Sequence, residues 1–97
     1  MTRSELVDAL ARRRNLPRPI AERVVSALFD GIRDALAGGD RVEIRGFGSF
    51  KARQYKGYTG RNPRSGAPIV VHPKVLPVFK VGKELRMRVN GGVDPDE

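Results

Sequence analysis

The chain has 97 residues, a length that suits one domain, and its 19 Lys+Arg against 11 Asp+Glu leave a formal net charge of +8. It has no cysteine, which excludes disulfides, thiolate metal sites and cysteine nucleophiles together. No stretch approaches the roughly 18 apolar residues of a membrane span, and Met1-Thr2-Arg3-Ser4-Glu5 leads into no apolar signal-peptide core, so the expectation is a soluble, basic, intracellular protein with a polyanionic partner.

Thr2-Arg3-Ser4-Glu5 fits a capping box, with Thr2 as N-cap and Glu5 reaching back. Leu6, Val7 and Leu10 follow at helical spacing, which predicts a first helix over about residues 3–13. Arg12-Arg13-Arg14 sits where the helix dipole is negative and reads as a solvated helix end, with a nucleic-acid contact as the alternative. Asn15-Leu16-Pro17-Arg18-Pro19 is a connector, because two prolines so close cannot continue a helix. Pro19 suits the first turn of a second helix. There Ile20, Val24, Leu28, Ile32, Ala35 and Leu36 form a stripe that Val25 and Phe29 widen to about half the circumference. Phe29 and the leucines are expected in a core. One short first helix cannot cover so wide a face, which argues for a dimer interface. Gly38-Gly39 ends the helix.

Arg41-Val42-Glu43-Ile44-Arg45 alternates as a half-buried strand should, with Glu43 and Arg45 two apart on its outer face. Gly46-Phe47-Gly48 is expected as a turn holding one buried ring, and Ser49-Phe50-Lys51-Ala52-Arg53 opens the next strand of a hairpin. From Tyr55 to about His72 the apolar pattern thins while Tyr55, Tyr58, Ile69, Val70 and Val71 keep strand propensity. A two-stranded arm over about residues 55–73 fits, with limbs of about eight residues reaching roughly 26 Å. Such a hairpin is barely stable alone, so a mobile arm that orders on its partner is expected. At its tip, Gly60-Arg61-Asn62-Pro63-Arg64-Ser65-Gly66 gathers cations, an amide and a rigid ring between two glycines. That tip suits insertion between nucleic-acid bases; a plain Gly/Pro hairpin turn is the alternative. Val75, Leu76, Val78 and Phe79 return to the sheet, and residues 82–89 predict a short last helix with Leu85 and Val89 four apart. Asn90-Gly91-Gly92 stops it, and residues 91–97 form an acidic tail expected to lack order.

The charge is uneven. No Asp or Glu lies between Glu43 and Glu84, an interval that holds Arg45, Lys51, Arg53, Lys56, Arg61, Arg64, Lys74, Lys80 and Lys83. Residues 1–43 are near balance. The partner-binding charge therefore belongs to the second half.

Three motifs, in this order and spacing, resemble the HU/IHF family of bacterial DNA-bending proteins over residues 1–90. They are Arg45-Gly46-Phe47-Gly48-Ser49-Phe50, the tip Gly60 to Gly66, and Pro77-Val78-Phe79-Lys80-Val81-Gly82-Lys83-Glu84-Leu85. Thr2-Arg3-Ser4-Glu5-Leu6 and Glu43-Ile44-Arg45-Gly46 are most similar to the integration host factor β subunit. Val81 departs from the family's usual Pro or Ala. The resemblance implies an α+β, HU-like or IHF-like intertwined dimer, homomeric or with a related subunit. Helices form its base, an antiparallel sheet forms a saddle, and ribbon arms wrap the minor groove of double-stranded DNA. It implies Pro63 as the intercalating wedge and Arg61, Asn62 and Arg64 in the minor groove. Arg3 and Ser4 at the first helix and Lys83 at the last lie beside unpaired N–H groups that favour phosphate. Lys51, Arg53, Lys56, Lys74 and Lys80 would neutralise phosphates without reading sequence. From their i, i+2 spacing on one strand face, Glu43 would hold the guanidinium of Arg45 fixed in the minor groove; a plain surface ion pair is the alternative. No cofactor or metal is implied, and the location implied is the bacterial nucleoid.

Other classes fit less well. His72 stands alone beside Pro73, with no cysteine or nearby acid to make a metal site or triad, so an enzyme is not expected. An RNA-binding module would call for aromatic stacking platforms, and four of the six aromatics are phenylalanines assigned to a core. A membrane-surface role needs a basic amphipathic helix, whereas the cationic stretch is strand and loop.

Overall fold

A computed structural model describes residues 1–96 and divides the chain into two compact units, Met1–Ala35 and the remainder from Leu36. The first unit contains α1 (Arg3–Arg14) and most of α2 (Arg18–Ala37). Thr2 caps α1 by accepting from the Glu5 N–H at 3.2 Å. The box closes differently from expectation: Glu5 Oε1 accepts the Thr2 hydroxyl, at 3.2 Å. The helix runs one residue beyond the expected end, until Asn15 takes a left-handed φ of 51° and its N–H bonds the Ala11 carbonyl. Val7, Ala21 and Val25 are the buried core, with Leu6, Leu10, Ala11 and Leu16 packed against it.

The core is narrower than the sequence suggested. Leu28 is 54% and Phe29 45% exposed, and Ile20 and Val24 are exposed too. The reason is geometric: α1 is short and covers the Ala21–Val25 side of α2, leaving the rest of the apolar stripe bare. Arg18 ties the two helices by an ion pair with Asp8 at 2.9 Å and a bond to the Ser4 hydroxyl at 3.0 Å. α2 stops at Gly39, whose φ of 80° is left-handed and whose N–H bonds the Leu36 carbonyl.

In the second unit, β1 (Val42–Ile44), β2 (Gly48–Tyr55) and β5 (Lys74–Val81) form an antiparallel sheet in the order β1-β2-β5. Gly48 must be glycine, because a Cβ there would meet the Lys80 carbonyl and the Phe79 ring at 2.5 Å each. Phe79 packs between Phe50 and Phe47, with ring centroids 4.8 and 5.5 Å away. Phe47 is nonetheless 44% exposed, so the expected buried ring is corrected to one covered on a single side.

The arm pairs β3 (Tyr58–Arg61) with β4 (Pro68–Val71), Tyr58 opposite Val71 and Arg61 opposite Pro68. Its strands are half the expected length. Gly57 interrupts the ribbon, with its Cβ position 2.7 Å from the Val71 carbonyl and 2.8 Å from Pro73, so the backbones meet where pairing lapses. The last helix, α3 (Lys83–Val89), starts one residue later than expected, with Gly82 as its N-cap. Val89 is 80% exposed and anchors nothing. Residues 93–96 depart from the expected structureless tail: Asp94 is ion-paired and its side chain is 11% exposed. Glu97, the end of that tail, lies outside the described residues.

Candidate nucleic-acid interface

The β2–β5 register decides which cations share a surface. Ser49 pairs with Lys80, Lys51 with Val78, Arg53 with Leu76 and Tyr55 with Lys74. Directly paired residues share a face, and alternate residues of a strand return to it. Lys51, Arg53, Lys74 and Lys80 therefore stand on one side of the ribbon, opposite the side that carries Phe50 and Phe79. Glu43, paired with Ser49, is the acid on the cationic face. Tyr55 joins the cations there: Arg53 lies 5.6 Å and Lys74 6.0 Å from its ring centroid. Tyr55 is a site residue beyond those expected from sequence, and its two-residue spacing from Arg53 is the signal that points to it.

Lys56 lies in the interruption between β2 and β3. Beyond the arm strands, the tip is held by its own bonds. The Asn62 N–H bonds the Ala67 carbonyl at 2.8 Å, and the Gly66 N–H returns to the Asn62 carbonyl at 2.7 Å. Asn62 Oδ1 accepts from the Arg64 N–H at 2.9 Å, which closes an Asx turn. Asn62 is thus half-buried and partly used in holding the tip, while Arg61, Pro63 and Arg64 are exposed. Gly66 supplies the left-handed φ of 70° that the reversal requires.

Arg45 is corrected from a strand residue to the first residue of the turn between β1 and β2. Gly46, at φ 83°, turns the chain there, so the strand alternation ends at Ile44. Arg45, Glu43, Arg41 and Lys80 line an open cleft of about 310 Å³. No ion pair joins Glu43 to Arg45 among the described residues, so the orienting contact expected from their spacing is absent here. Arg41 was not foreseen as a site residue.

The remaining candidates are helix residues. Arg3 donates to the Ser26 hydroxyl, and the Ser4 hydroxyl accepts from Arg18. Lys83 opens α3, where its ammonium faces Asp94 at 4.0 Å. No helix of the described residues is long and apolar enough to cross a membrane.

Residues 1–90 match the family model described as bacterial DNA-binding protein. The chain belongs to that family. The HU fold is shared with solved structures across nearly the whole chain. A cocrystal of Anabaena HU with DNA is similar at 36% identity and a TM-score of 0.82, covering 92% of this chain and 97% of that one. HU from Thermotoga maritima is similar at 28% identity and a TM-score of 0.66, with 92% and 98% covered. The solution structure of a mutant of transcription factor 1 is similar at 25% identity and 0.65, with 94% and 92% covered. The family is one of DNA-binding proteins rather than enzymes.

Proposed function

We propose that this HU-family protein acts as a dimer that grips double-stranded DNA and bends it through the minor groove. The observation that carries the reading is the cationic face of the β2–β5 ribbon, whose two strands lead through Lys56-Gly57 and His72-Pro73 into an arm tipped by exposed Pro63. Lys51, Arg53, Lys74 and Lys80 neutralise phosphates along the approach. Neutralisation releases counterions and supplies affinity without reading bases. Arg61 and Arg64 follow the groove, where potential is most negative when it narrows. Pro63 wedges between base pairs, as apolar side chains of minor-groove architectural proteins do; HU and IHF are themselves among the proteins that define that behaviour. A proline ring replaces lost stacking and has almost no side-chain entropy to lose.

The dimer is supported by the bare stripe of α2. A chain that buries only Val7, Ala21 and Val25 among the described apolar residues and leaves Ile20, Val24, Leu28 and Phe29 exposed gains most by covering them with a second copy or a related subunit. In this reading the protein organises the nucleoid and serves recombination and transcription by shaping DNA. A site-preferring mode, like that of the integration host factor β subunit, is a finer reading supported by Glu43 and Arg45 on one cleft. In that mode Glu43 orients Arg45 once the groove is occupied. Glu43→Ala is then expected to flatten preference across a panel of sites while affinity changes less; preference unchanged across the panel removes the finer reading.

The test is end-to-end FRET on a short duplex titrated with the purified protein at increasing salt. A saturable approach of the ends, lost as salt rises, is expected. Saturable binding without approach of the ends refutes bending by this protein alone.

A further inference from the structure

The acidic tail occupies cations that the DNA-binding reading would otherwise leave to phosphate. Gly91 and Gly92 take left-handed φ values of 70° and 92°, and the Gly92 N–H bonds the Met87 carbonyl at 2.8 Å, so the chain reverses at the end of α3. Asn90 Nδ2 donates to the Val93 carbonyl at 3.0 Å and holds the reversal. Asp94 and Asp96 are thereby returned along the helix. Arg86 Nη2 meets Asp94 at 3.5 Å, Arg86 Nη1 meets Asp96 at 3.0 Å, and Lys83 Nζ stands 4.0 Å from the other oxygen of Asp94. Lys83 and Arg86 are three apart on α3 and so present their charges side by side. Arg86 Nε is buried without a partner, which leaves this guanidinium incompletely satisfied by the tail.

We infer that Lys83 and Arg86 form a phosphate-binding site on α3 that the protein's own tail carboxylates occupy until the DNA backbone displaces them. The inference rests on the DNA-binding reading above. Carboxylate and phosphate both offer anionic oxygen pairs to a guanidinium, so one can stand in for the other. The short tether makes the tail an intramolecular competitor at millimolar or higher effective concentration. Its ion pairs are exposed on the lysine side and individually weak, so they hold the site without locking it. The tail lowers affinity and flattens its salt dependence, because cations already neutralised release no counterions on binding.

The experiment measures duplex binding by fluorescence anisotropy between 50 and 200 mM salt for full-length wild type, D94N/D96N, K83A/R86A and the quadruple variant. The Asn side chains keep the shape and an acceptor oxygen, and circular dichroism checks the fold. D94N/D96N is expected to bind tighter by on the order of fivefold, with a log–log salt slope steeper by about 0.9 for each cation freed. The gain should vanish when Lys83 and Arg86 are also replaced. A gain of equal size without those two residues is a net-charge effect and overturns the inference. So does no gain at all. If K51A/R53A weakens binding while the tail variants match wild type, only this inference falls. If no variant and no wild type binds duplex, the DNA-binding reading falls and takes this one with it.

Discussion

Replacing Lys51 and Arg53 by alanine tests the register argument directly. Both side chains are exposed, and their strand pairs through backbone bonds with β5, so the fold should survive. Two cations are lost per chain, four in a dimer, and at about 0.9 counterions per phosphate contact the log–log salt slope should fall by about 3.6. Over a fourfold rise in salt that difference amounts to about 150-fold in affinity ratio, well beyond measurement error. Anisotropy titrations of a labelled duplex at 50, 100 and 200 mM salt give the slope. R12A/R13A removes the same charge from the end of α1, where the residues read as a solvated helix terminus. A slope change in K51A/R53A no larger than in R12A/R13A would show that the β2–β5 face does not carry the phosphates.

Pro63→Ala is expected to keep the salt slope and most of the affinity while the FRET change on the duplex shrinks; equal bending would remove the wedge. Gly48→Ala should destabilise the fold by about 1–3 kcal/mol, since overpacking of this kind cannot be relieved when one obstacle is the Lys80 backbone. Urea denaturation measures it, and an unchanged midpoint refutes the close-approach argument. V24D/L28D replaces side chains exposed in the single chain and should be harmless to a monomer. Loss of the dimer in sedimentation equilibrium, with a lower melting temperature, is the expected result, and a dimer of unchanged strength places the interface elsewhere.

The helices were legible because their signals are local. Thr2 and Glu5 mark a cap by spacing, and Gly38-Gly39 marks a stop by conformation, so each boundary falls within a residue or two of expectation. The wide stripe on α2 was also legible, but which part of it meets α1 was not. Burial of Ala21 and Val25 with exposure of Val24 and Leu28 depends on the packing of α1 against one side, and hydrophobic periodicity weighs all these residues alike. The arm lengths failed for a related reason. Tyr55, Tyr58 and Val71 all favour strand, yet pairing lapses between Tyr55–Lys74 and Tyr58–Val71, where Pro73 has no N–H to give the ladder.

The site shows where charge counting ends and geometry begins. An acid-free interval from residue 44 to 83 locates the cationic half of the chain without any structure. Whether its cations cooperate depends on register, and a one-residue slip between β2 and β5 would put Lys74 and Lys80 on the face opposite Lys51 and Arg53. Arg45 shows the same sensitivity at one residue's scale: alternation puts it beside Glu43 only while the strand continues, and Gly46 ends it first. The tail is the converse case. Its composition reads as a solvated acidic end, but two left-handed glycines fold it back onto Lys83 and Arg86. Charges that a count adds to the DNA-binding total are, in this chain, already partly neutralised by its own last residues.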